Sequence, residues 1–111
     1  MKVAFDVKGT LYGERQGLVL KLFDVLQKAG HEMFVWSNSY QYATDAVKDL
    51  NLPASPMLKF GKWERKDEQM DLCIEDDHSQ EWLGSKRIIF VDDRAAIVAL
   101  IKEYSDAKSE E

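Results

Sequence analysis

Short apolar runs alternate with longer amphipathic stretches along this chain, a pattern that predicts an α/β domain with a parallel sheet. Val3-Ala4-Phe5 reads as a brief buried strand. From Leu18 to Ala29, the residues Val19, Leu22, Phe23, Leu26 and Ala29 share one helical face, and Gly30 suits the helix end. Met33-Phe34-Val35-Trp36 predicts a second strand. A helix follows from about Tyr40 to Leu50, with Ala43, Ala46, Val47 and Leu50 at core-facing spacing. Pro53 and Pro56 predict a loop, and Met57-Leu58-Lys59-Phe60 a short third strand. Leu72-Cys73-Ile74 and Ile88-Ile89-Phe90-Val91 supply two more, with a helical turn from Ser79 to about Gly84 between them. Ile97, Leu100, Ile101 and Tyr104 mark the last helix.

Length and charge narrow the function classes. A chain of 111 residues fits one domain, here 1–104, followed by a small, charged tail at 105–111 that is expected to fray. Twenty acidic against fifteen basic residues give a net charge of -5, which argues against a general nucleic-acid-binding surface. Cys73 is the only cysteine, so neither an internal disulfide nor a cysteine-rich metal site is expected. With no apolar run of the ~18 residues a membrane span requires, and no signal-peptide pattern, a cytoplasmic protein without a membrane partner is expected.

Reactive groups gather at the ends of the predicted strands, where open α/β sheets bind their ligands. The first strand ends in Phe5-Asp6-Val7-Lys8-Gly9-Thr10-Leu11 and the second in Trp36-Ser37-Asn38-Ser39. The third is followed by Gly61-Lys62, the fourth ends in Glu75-Asp76-Asp77 and the fifth in Asp92-Asp93-Arg94. Carboxylates ending neighbouring strands, ~4.8 Å apart, can share one hard divalent cation.

This set resembles the four motifs of the haloacid dehalogenase-like superfamily. Asp6 to Leu11 resembles the first motif, Ser37 the second, Phe60-Gly61-Lys62 the third, and Asp71 to Asp77 the acidic fourth. The resemblance runs from Met1 to about Tyr104. It implies a three-layer, Rossmann-like sheet of about five strands in the order 5-4-1-2-3, flanked by helices. The roughly twenty residues between Leu11 and Met33 are mostly helix and leave no room for a cap domain. The resemblance further implies a phosphatase-type hydrolase in which Asp6 takes a phosphoryl group. Gly9, Thr10, Ser37, Asn38 and Lys62 would bind phosphate, with Lys59 or Lys66 as substitutes for Lys62. Mg²⁺ would be held by Asp6, the backbone carbonyl of Lys8, Asp76 and Asp77. Asp92 and Asp93 form an alternative fourth motif; otherwise they cap the last helix. An uncapped site favours a large or exposed phosphorylated substrate.

Lys8 departs from that pattern, because the superfamily's phosphatases usually carry a second, acid–base aspartate there. An ammonium cannot take a proton from water at neutral pH without a strongly lowered pKa. At ~5 Å and an effective dielectric of ~20 it would repel a dication by about 6–7 kcal/mol before screening. Lys8 is therefore expected to swing outward, or to take the cation's place beside Asp6 or Asp76. The other outcome of this substitution is a binding or scaffold domain that has lost turnover. Plainer readings exist for each residue. Asp6 with Gly9-Thr10 could be a capping turn, Ser37 could cap the Tyr40 helix with Asn38 or Ser39, and the lysines near Lys62 could be a solvated face. His31 and His78 read as surface residues, and Trp36, Trp63 and Trp82 as packing groups.

Overall fold

The computed structural model describes residues 1–59, 70–78 and 85–109, leaving aside the side chains of 106–109. Their elements run in chain order as β1 (Lys2–Asp6), α1 (Gln16–Lys28), β2 (Glu32–Ser37) and α2 (Tyr40–Asp49). They continue with β3 (Ser55–Leu58), β4 (Leu72–Glu75), β5 (Ile88–Phe90) and α3 (Arg94–Ser109). The five strands form one sheet in the order β3-β2-β1-β4-β5, and every pairing is parallel. This is the α/β architecture and strand order expected. The helical turn expected from Ser79 to Gly84 lies outside the described residues.

Strand alternation divides the core. Val3 and Phe5, Met33 and Val35, and Leu72 and Ile74 point to one face. There they meet Val19, Leu22, Phe23 and Leu26 of α1, Ala43 and Ala46 of α2, and Ile97, Leu100 and Ile101 of α3. Phe5 and Phe23 touch edge to face with centroids 5.2 Å apart, a geometry worth about 0.5–1.5 kcal/mol beyond the area it buries. The opposite face carries a smaller cluster of Ala4, Trp36, Met70 and Cys73. The short side chains of Ala4 and Cys73, paired in register, leave room for the fully buried indole of Trp36. The connections from β3 to β4 and from β4 to β5 run through residues outside the described set.

Two boundaries differ from the apolar spacing. β3 begins at Ser55 and includes Pro56, which was expected in a loop; β3 is an edge strand, where a residue without an N–H is tolerated. α3 continues as helix to Ser109, past the Tyr104 boundary. No helix among the described residues is long and apolar enough to cross a membrane.

Candidate functional site

The alternation that builds the smaller core cluster also builds the site. Asp6 lies two residues after Ala4, Glu75 two after Cys73, and Lys59 two after Met57, so all three leave their strands on the same face. Parallel pairing then brings the carboxyl ends of β1, β4 and β3 to one rim. The Lys59 amide stays tied to that rim through the Ser37 carbonyl at 2.8 Å. Its long side chain crosses the end of β2 and places Nζ 2.6 Å from Asp6 Oδ1 and 2.8 Å from Glu75 Oε2. All three side chains are buried, with relative exposures of 8% or less.

Asp6 is held from a second side as well. The turn after β1 closes through Leu11 N–H to the Asp6 carbonyl and Tyr12 N–H to the Val7 carbonyl, at 3.3 and 3.1 Å. Buried Val7 and Leu11 anchor the two ends of this turn. Thr10, fully buried, donates its hydroxyl to Asp6 Oδ2 at 3.4 Å. Gly9 has φ +80°, and an added Cβ would stand 2.0 Å from Asp76 Oδ2. Only glycine combines that backbone conformation with so close an approach. Glu75 organises the other wall, where its Oε1 accepts the backbone N–H groups of Asp76 and Asp77 at 3.0 and 3.3 Å.

Carboxyl oxygens of Asp6, Glu75 and Asp76 all lie within 4.8 Å of one another. With one ammonium among three carboxyl groups, the site carries excess negative charge whenever all are ionised. Burial pushes the Asp6 carboxyl up from 3.8 to about 8; Lys59 opposes that rise, while Glu75 and Asp76 add to it. Burial works against the charge on Lys59 too, but the Asp6 and Glu75 carboxylates outweigh it and hold the ammonium above its ordinary value. Cys73 is no competing nucleophile, since burial pushes its thiol far above its usual range.

These groups form the floor of an open cleft of about 640 Å³. Of the residues expected at the site, Asp6, Lys8, Ser37, Asn38, Asp76 and Asp77 line it. Gly9 and Thr10 stand behind it, shaping the turn and orienting Asp6 rather than facing the cleft. Lys8 is exposed where it lines the cleft and makes no ion pair among the described residues; the lysine in contact with Asp6 is Lys59. Lys62 lies outside the described residues. Ser37 accepts the Ser39 N–H at 3.2 Å, while Ser39 caps α2 by accepting the Tyr42 N–H. Asp71, at the start of the acidic stretch, belongs to the opposite rim, where it accepts the Lys2 N–H. Asp93 accepts the Ala96 N–H and caps α3, but Asp92 instead pairs with His78.

Sequence reasoning left Glu75 without a role, offered Lys59 only as a substitute, and set His78 aside. The signal for the first two was present in the period of two, which carries the Ala4–Asp6 face through Cys73 to Glu75 and through Met57 to Lys59. Nothing in the sequence marked His78, whose partner Asp92 lies fourteen positions away. Comparison with protein-family models, curated proteins and solved structures finds no match to this chain.

Proposed function

We propose that this domain is a phosphatase-type hydrolase of the haloacid dehalogenase-like kind, in which Asp6 accepts a phosphoryl group with the help of Mg²⁺. The observation that carries this reading is the fixed Asp6 carboxyl group on the floor of an uncapped cleft. One oxygen is held by Lys59 and the other by Thr10, with Glu75 and Asp76 alongside. The donor set fits a hard cation. Ligand oxygens at ~2.0–2.6 Å from a metal stand at most about 4–5 Å apart, close to the spread of Asp6, Glu75 and Asp76. When bound, such a cation would neutralise phosphoryl oxygens and bring them towards Asp6 despite the acidic surroundings.

The chain's own groups then have defined tasks. The Asp6 carboxylate is ionised above about pH 8 in the free site, and at lower pH where a bound cation would offset the neighbouring carboxylates. It forms a bond from one oxygen to phosphorus as the ester P–O bond breaks, and the electron pair leaves with the ester oxygen. The third N–H of Lys59, beyond those given to Asp6 and Glu75, and the Ser37 hydroxyl hold equatorial oxygens. Water subsequently attacks phosphorus and releases phosphate and the Asp6 carboxylate. Because Lys8 cannot serve as general base for the attacking water, breakdown of the Asp6 acyl phosphate is slow and limits turnover.

With an aryl phosphate and Mg²⁺, the wild-type chain should release phosphate, and chelation or Asp6→Asn should abolish this. Equal turnover in Asp6→Asn would refute the reading. Lys8, exposed at the cleft where an acid–base carboxylate is expected, favours a second reading, a binding domain that keeps the cleft without turning over. That reading expects a silent wild type and activity gained in Lys8→Asp, on the scale of the ~10²–10⁴ supplied by general acid–base catalysis.

A further inference from the structure

His78 is an exposed side chain held in one orientation by two independent contacts. Its ring lies flat on Phe90, with centroids 3.9 Å apart and planes inclined by 16°. Its Nε2–H is donated to the Asp92 carboxylate, 2.8 Å from one oxygen and 3.0 Å from the other. The side chain is still 60% exposed although Phe90 covers one face, so the opposite face is open. His78 lines the same cleft as Asp6. Phe90 pairs in register with Glu75, which puts the ring one strand beyond the carboxylates. Two inter-strand spacings, about 10 Å, separate the Asp6 strand from this platform.

A flat ring fixed at the edge of a cleft of about 640 Å³, which has room for more than a phosphate, is suited to a planar group carried by the phosphorylated molecule. We infer that the cleft takes a nucleoside monophosphate, with its phosphate at Asp6, its sugar over the end of β4 and its base stacked on His78. This substrate class rests on the phosphoryl reading proposed above. The two existing contacts already restrict His78, so less rotamer freedom is lost on binding. Stacking of a base on an aromatic side chain is worth about 1–3 kcal/mol, or roughly 5–150-fold in affinity. The far wall of the cleft offers a second exposed ring, Tyr42, in the first turn of α2. A net charge of -5 disfavours a long polyanion and points to the single nucleotide.

The test compares adenosine monophosphate with glycerol phosphate, using the full chain and Mg²⁺. The wild type should favour the nucleotide at least about tenfold in kcat/KM. His78→Ala should reduce that ratio about tenfold, chiefly through the KM for the nucleotide, within the stacking range above. His78→Phe keeps a flat ring and should retain most of the preference, which separates stacking from a hydrogen-bonding or purely structural contribution. A wild-type ratio near one, or a ratio unmoved by His78→Ala, overturns the inference while leaving the hydrolase reading intact. If neither ester is turned over, calorimetric binding of adenosine monophosphate takes the place of kinetics. Binding weakened by His78→Ala but not by His78→Phe would support the nucleotide site and sink the hydrolase reading, and an absence of binding would overturn the site. Preference for a phosphorylated oligonucleotide over the mononucleotide would overturn the single-nucleotide assignment.

Discussion

Lys59→Met lowers the free energy of unfolding by about 3–5 kcal/mol, the range for removing one partner of a buried ion pair. Its ammonium is the group that lies between the buried Asp6 and Glu75 carboxyls, at 2.6 and 2.8 Å. Methionine fills similar volume but leaves two carboxyl groups facing each other without a cation. The protein can escape part of that cost by protonating one of them, so the loss grows as pH rises. Adding Asp6→Asn to Lys59→Met removes one of the opposed charges, and the double variant should recover a large share of the stability. Urea unfolding of the four proteins of this cycle checks the claim. A loss below about 1 kcal/mol for Lys59→Met would mean that the pair behaves like an exposed salt bridge.

Asp6→Asn should by itself stabilise the fold. In the folded protein the Asp6 carboxyl holds its proton up to about 8, whereas in the unfolded chain it releases it near 3.8. The folded state therefore binds more protons between those values, and wild-type stability falls as pH climbs through that window. Asparagine has no proton to lose. Its advantage should be absent below about pH 4, grow steadily through neutrality and level off above about 8. One pKa unit corresponds to ~1.4 kcal/mol, so a gain of at least about 2 kcal/mol at pH 8 is expected in the presence of a chelator. Mg²⁺ should narrow the difference by stabilising the wild type. A carboxylate kept at such a cost to stability is what a functional site requires. Stability that is equal for the two proteins from pH 4 to 8 would contradict this account of Asp6.

Much of the fold was legible because buried parallel strands are short apolar runs, and helices between them carry periodic stripes. Val3–Phe5 and Met33–Trp36 needed no tertiary information. β3 was less readable, since its edge position lets Pro56 sit where an interior strand would exclude it. The cleft was legible where its lining comes directly from strand ends, as at Asp6, Ser37 and Asp76. It was obscured where side-chain reach decides. Lys59 acts across the end of β2, a distance set by sheet order, whereas a linear reading preferred Lys62 and kept Lys59, like Lys66, only as a substitute. Thr10 was expected on phosphate but supports Asp6 from behind, because the turn folds it inward. The His78–Asp92 pair joins the ends of two strands, which only the closed sheet brings together.

The most direct measurement mixes the wild-type chain with a phosphate ester carrying labelled phosphorus and Mg²⁺, quenches in acid and maps the label. Label carried by the peptide containing Asp6, as an acid-stable but alkali-labile acyl phosphate, is the predicted result. Phosphate release with the label on another residue, or persisting when Asp6 is asparagine, would contradict the account.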